Sequence, residues 1–289
     1  MEFTEPTRWS GYRCELGEGI RSTGDRMIHV DILSGRLLTL GHKEPHTEAA
    51  VLAAVDVPLG AVAPRLGAPG TWIAAAGTGI AVLTEPSTLQ WIGTVTDDSI
   101  TPTRVNDGVC DPSGRFWVST MAYDNTVGVG SLHRLDPDGT ITQVLTGLTV
   151  PNGPAWSPDG ATMYLASSTE SRIDAYTLDP ADGSLGAGRQ FVQLDGDVSP
   201  DGMTVDDEGF VWVAIWNGSA VHRYSPDGEL DGAIWLPTSR PTSCWFGGPD
   251  RNRLFVTTAT YGLEDDAAAG WVYALDVGVT GPPAVPFGG

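Results

Sequence analysis

Arg104-Val105-Asn106-Asp107-Gly108-Val109-Cys110-Asp111-Pro112-Ser113-Gly114-Arg115-Phe116-Trp117-Val118-Ser119 reads as a polar approach, a short strand, a tight turn and a second strand rich in aromatic and branched residues. The same phrase returns as Pro151-Asn152-Gly153 leading through Ser157-Pro158-Asp159-Gly160 to the strand ending at Leu165. It returns again as Ser199-Pro200-Asp201-Gly202, then Asp206-Asp207-Glu208-Gly209, then Phe210 to Ala214. From Asn106 to Asn152 is 46 residues and from Asn152 to Asp201 is 49, the length of a four-stranded propeller blade. Helical solenoids share that period, but no ten-residue stretch of helical periodicity lies inside this repeat.

Forward, the series continues through Arg240-Pro241-Thr242-Ser243 and the strand Leu254 to Thr257; backward, it reaches Leu16-Gly17-Glu18-Gly19. Glu18 and Asn106 are 88 residues apart, which leaves one copy between them, matched by Ala63 to Gly70 and the strand from Thr71 to Ala75. A second set of turns, at Asp136-Pro137-Asp138-Gly139, Asp179 to Gly183 and Ser225-Pro226-Asp227-Gly228, falls between the first, so each unit carries two hairpins. The expected fold is all-β: a six-bladed β-propeller of four-stranded antiparallel blades, one domain over residues 1–289.

Composition sets limits on partners. With 41% hydrophobic residues the chain can build a core, and 37 Gly with 21 Pro suit a turn-rich sheet protein. A formal net charge of −20 argues against nucleic acid or an anionic membrane surface and suits a divalent cation. The first residues, Met1 to Pro6, show no basic segment or apolar run, so no secretion signal is expected, and no stretch reaches membrane-spanning length. Cys14, Cys110 and Cys244 are odd in number and lack metal spacing, which suits reduced, structural thiols and a cytoplasmic protein. Oligomeric state is not legible in the sequence.

In a propeller, the loops that enter the innermost strands open at one end of the central channel, so residues distant in sequence meet there. Glu18, Arg104 with Asn106 and Asp107, Asn152, and Asp201 occupy that phase of the repeat. Asn152-Gly153, Asp107-Gly108 and Asp201-Gly202 are each ordinary turn dipeptides, and Glu18 between two glycines is an ordinary loop acid. Their shared phase is what marks them. Carboxylates converging in a channel mouth repel one another unless neutralised, and a divalent cation on Glu18, Asp201 and the Asn152 carbonyl oxygen resolves this. Oxygen donors favour Ca²⁺, Mg²⁺ or Mn²⁺, with Zn²⁺ less diagnostic. Asp159 and Asp227 fall in outer turns, His29, His133 and His222 in strands, and His42 and His46 flank Pro45 in an expected surface loop. No HExxH, GxSxG or phosphate-binding glycine loop occurs.

From about residue 14 to 288 the chain resembles the gluconolactonase, regucalcin (senescence marker protein) and luciferin-regenerating enzyme family of six-bladed propellers. The resemblance rests on Arg104 to Arg115 with Thr120-Met121, Pro151-Asn152-Gly153, Ser199 to Met203 with Trp212 to Ala214 and Asn217-Gly218, and Arg240 to Cys244 with Phe246 to Gly248. It implies one divalent metal, Ca²⁺ foremost with Mg²⁺, Mn²⁺ or Zn²⁺ as alternatives, held by Glu18, Asn152 and Asp201, and substrate contacts from Arg104 and Asn106. Where family members such as regucalcin place a substrate-contacting Glu, this chain has Ala122-Tyr123-Asp124, so Tyr123 and Asp124 become the candidates there. After Glu18 the family continues Gly-Pro-Val-Trp, whereas this chain reads Gly19-Ile20-Arg21-Ser22. The function implied is metal-dependent hydrolysis of a sugar lactone, a small-molecule substrate, with Asp201 activating water. Hydrolysis of another ester or an organophosphate, and a non-catalytic metal- or ligand-binding propeller, are the alternatives.

Overall fold

A computed structural model describes residues 3–45, 49–97, 99–263 and 265–289. Six four-stranded antiparallel sheets follow one another around a channel. Five are simple meanders from consecutive strands. In the sixth, Pro241–Gly247, Arg253–Thr258 and Tyr273–Asp276 take their outermost strand, Thr7–Arg8, from the chain's beginning. Thr7 pairs with Ala274 and Arg8 with Tyr273, which closes the ring by joining an N-terminal strand to the last blade, and the chain then runs on until Phe287 bridges Arg65 beside the second blade. The expected six-bladed architecture is the one observed, and the copy between Glu18 and Asn106 is the second blade, Leu59–Pro64 to Thr88–Thr94.

The repeated turns do what their residues require. In Asp111 to Gly114, Ser157 to Gly160 and Asp206 to Gly209 the glycine amide donates to the carbonyl three residues back at 2.8–2.9 Å. Each closing glycine has a positive φ, 79°, 70° and 89°, that a side chain would strain. Two of these turns add a buried acid. Asp111 Oδ2 accepts from Trp117 Nε1 (3.0 Å) and Arg115 Nε (2.6 Å), and Asp206 Oδ2 accepts from Trp212 Nε1 (2.9 Å) and from both Nε and Nη2 of Arg223.

Six apolar clusters fill the space between blades. One joins Tyr164, Ile173 and Phe191 of the fourth blade to Met203, Val205 and Val213 of the fifth, and another joins Trp212 and Val221 of the fifth to Phe246 and Leu254 of the sixth. Each fully buried large side chain contributes about 1.5–3 kcal/mol. Innermost strands are buried throughout, as in Thr103–Cys110, while outermost ones such as Thr88–Thr94 are largely exposed. Cys14, Cys110 and Cys244 are free and buried. His29 is buried with neither ring nitrogen hydrogen-bonded, and burial pushes it down to about 3. His42 is buried as well, at 3% exposure, a correction to the expected surface loop; His46 lies outside the described residues. Among the described residues no helix is long and apolar enough to cross a membrane.

Candidate functional site

Every innermost strand breaks register at the same level. In the first, third, fourth and fifth blades pairing jumps from Glu18 to Arg21, Val105 to Gly108, Asn152 to Ala155 and Pro200 to Met203. A bulge of this kind re-aims side chains and lets successive residues face the channel. The sequence reading placed Glu18, Asn106, Asn152 and Asp201 in entry loops; they lie inside the strands, and their Asn-Gly and Asp-Gly pairs build bulges rather than hairpin turns. Their positions also differ by one. Glu18 and Asn152 are the last paired residues before the shift, whereas Asn106 and Asp201 are the first unpaired ones after it. Close approach of the strands is part of the arrangement, because a Cβ at Gly60 would lie 2.1 Å from the Asn106 carbonyl oxygen.

At this level the channel opens into a cavity of about 270 Å³ lined by Glu18, Arg104, Asn106, Asn152 and Asp201. That is the small end of ligand sites, which span roughly 300–1,000 Å³. Tyr123 stands at its mouth, 55% exposed, with its ring 5.9 Å from the Arg104 guanidinium carbon. Asp124 is exposed and is not on the lining; its carboxylate accepts from Thr126 (2.6 Å) and Thr101 (3.3 Å). The lining residue next to it is Asn125, held at a φ of 58°. Sequence reasoning also passed over Ser168, Trp216 and Tyr261 on the wall. Trp216 ends the second strand of its blade, and Ser168 and Tyr261 follow the second strands of theirs, a second phase of the repeat that opens at the same end as the bulges.

A directed chain of hydrogen bonds orients the amides. Arg104 Nη1 donates to Asn106 Oδ1 (3.0 Å), Asn106 Nδ2 to Asn152 Oδ1 (2.8 Å), Asn152 Nδ2 to Ser168 Oγ (2.9 Å), and Ser168 Oγ to the Pro200 carbonyl (2.7 Å). Asn106 Nδ2 also donates to the Pro151 carbonyl (3.0 Å), so both its hydrogens are engaged and its carbonyl oxygen keeps a second lone pair beside the bond from Arg104. Asp107, beneath the lining, accepts from the Gly108 and Gly153 amides at 2.7 and 3.0 Å.

Burial, followed by the carboxylates of Asp201 and Asp107, holds the Glu18 carboxyl well above the usual range. Burial and Asp107 do the same to Asp201, against a hydrogen bond between Asp201 and Glu18. Two neighbouring buried carboxyls repel one another when both are ionised, and a hard cation relieves that repulsion. The donor set therefore fits a divalent cation: two buried carboxylates with the Asn152 amide oxygen. Among the described residues no three His, Cys, Asp or Glu side chains converge in metal-holding geometry.

Residues 16–260 match the family described as the SMP-30/Gluconolactonase/LRE-like region. The chain belongs to this family. It is 36% identical over 294 residues to pentonolactonase XacC of Haloferax volcanii, covering 96% of each chain, and 32% identical over 280 residues to regucalcin of Gallus gallus, covering 92% of this chain and 89% of the other. Among solved structures, the calcium-binding protein regucalcin from Agrobacterium tumefaciens superposes with a TM-score of 0.89 at 26% identity, over 99% of this chain and 97% of that one. This membership agrees with the resemblance read from Arg104 to Arg115 and its companion motifs.

Proposed function

We propose that this family member is a divalent-metal-dependent lactonase acting on a small sugar lactone. The carrying observation is the convergence of Glu18, Asn152 and Asp201 with Arg104 and Asn106 on one small cavity, in a chain 36% identical to a pentonolactonase. Glu18, Asn152 and Asp201 would hold the cation, Ca²⁺ by preference, with Mg²⁺, Mn²⁺ or Zn²⁺ as alternatives. When bound, it supplies a Lewis acid that polarises the ester carbonyl.

The chain's own groups do the rest. Arg104 binds substrate oxygen as a charged donor, and the Asn106 carbonyl oxygen accepts from a hydroxyl, because its amide hydrogens are already engaged. Tyr123 covers the ring at the mouth. Asp201 takes a proton from the attacking water as the water oxygen bonds to the carbonyl carbon; the ring C–O bond then breaks and the proton passes to the leaving oxygen. Water exclusion by the buried walls strengthens each of these interactions.

Lactone hydrolysis should be assayed on pentono- and hexonolactones after chelation and after return of each of the four cations. Activity that disappears with chelator, returns with cation, and falls on the order of a thousandfold in Asp201→Ala supports the reading. Full activity in Asp201→Ala overturns it.

A further inference from the structure

Arg21 is a buried cation where the other blades have none. It is the first residue to regain pairing after its bulge, the position held by Ala61, Gly108, Ala155, Met203 and Ser243 in the remaining five blades. Only 3% of it is exposed. The guanidinium carbon lies 4.6 Å from the Trp245 ring of the sixth blade, Nη1 donates to the Ile20 carbonyl at 2.7 Å, and Nη2 is 3.9 Å from Asp107 Oδ1 of the third blade. First and third blades are not neighbours, so the Arg21 to Asp107 pair spans the channel behind the cavity lining.

A buried ion pair is a poor stabilising device, since well-packed apolar residues of the same volume do as well or better. Stability therefore gives no reason for this pair, and charge does. Glu18, Asp107 and Asp201 place three acids around one end of the channel, and Arg104 and Arg21 place two cations there. A guanidinium stays charged at every relevant pH. With a divalent cation bound and the acids ionised, the group carries a net charge of about +1; without Arg21 it would be neutral.

We propose that Arg21 is a positioning residue acting through Asp107: its fixed charge weakens the hold of Glu18 and Asp201 on a divalent cation and leaves the loaded site net positive. A net positive site attracts the negative charge that develops on a carbonyl oxygen during hydrolysis. This inference rests on the functional reading above, but its readout is cation affinity, which needs no substrate. Arg21→Met keeps an unbranched stem and removes the charge together with the guanidinium that faces Trp245. Arg21→Lys keeps the charge.

Chelator-stripped full-length proteins are titrated with Ca²⁺ and with Mn²⁺ by calorimetry. Arg21→Met should bind roughly tenfold more tightly, Arg21→Lys within about twofold of the native protein, and Arg21→Met/Asp107→Asn should return to native affinity. Asp107→Asn alone, which serves if Arg21→Met fails to fold, should bind roughly tenfold more weakly. Unchanged or weaker binding in Arg21→Met, the same change in Arg21→Lys, or unchanged binding in Asp107→Asn overturns the proposal. Native protein that binds cation yet hydrolyses no lactone overturns the functional reading alone, and native protein that binds neither ion overturns both.

Discussion

Asn106 Nδ2 donates to Asn152 Oδ1 at 2.8 Å across the boundary between the third and fourth blades. Through this bond the residue proposed to read substrate orients the residue proposed to hold a cation. Both amides are buried, so a lost partner leaves a polar group without water to replace it. Asn106→Ala should destabilise the protein by about 1–3 kcal/mol and lower kcat/KM for the lactone at least about tenfold, because Asn152 is then free to rotate. Urea unfolding and steady-state kinetics measure the two effects separately.

Ionisation of Glu18 and Asp201 should cost the chelated protein stability as pH rises. Glu18 and Asp201 are held above the ordinary carboxylate range chiefly by burial. A carboxyl with a raised folded pKa binds more protons folded than unfolded, so its contribution is complete below the unfolded value of about 4 and is lost upward through the raised values. Surface turn acids such as Asp159, held low by hydrogen bonds, act in the opposite sense and only below that window. The buried His29 and His133, held down to about 3 and about 4, add a rise in stability up to about pH 6.5 in both proteins, so from pH 4 upward the native protein should lose thermal stability relative to Glu18→Gln/Asp201→Asn. Excess cation should reverse the decline, adding ~2.7 kcal/mol at a hundredfold of its Kd.

Asp206 carries a structural load distant from the cavity. It accepts from Trp212 and twice from Arg223, which is 2% exposed. Asp206→Ala should cost about 3–5 kcal/mol by stranding the guanidinium, read as a lower midpoint in denaturant melts. Glu208 and Asp231 also bond Arg223, so the low end of that range is expected.

Tyr123 and Asp124 are adjacent in sequence and differ in place. Tyr123→Ala should raise KM for the lactone by roughly fivefold, since the ring covers the mouth beside Arg104. Asp124→Ala, whose carboxylate is turned to Thr101 and Thr126, should leave kcat/KM within about twofold. Kinetics on both variants with one substrate decides the pair.

Much of this molecule was legible in its spacing. The recurrence of Asn106, Asn152 and Asp201 gave blade length and count, because a turn closed by Gly114, Gly160 or Gly209 is a local event that sequence encodes directly. Phase also singled out Glu18, Arg104, Asn106, Asn152 and Asp201 on the cavity and Asp107 beneath it, since equivalent positions of a ring face one axis. Less visible were Ser168, Trp216 and Tyr261. They sit at or just after the ends of the second strands, where no turn signature recurs from blade to blade to mark the phase.

Local chemistry in the sequence thus determined the strands, the turns, the ring and the set of residues available to the channel. Tertiary structure alone decided that Asn152-Gly153 is a bulge inside a strand, that Tyr123 meets the cavity while Asp124 does not, and that Arg21 reaches Asp107. The reason is physical. Turns and strand periodicity depend on neighbours within a few residues, whereas side-chain direction at a bulge and a contact across the channel exist only once six blades have closed on one another.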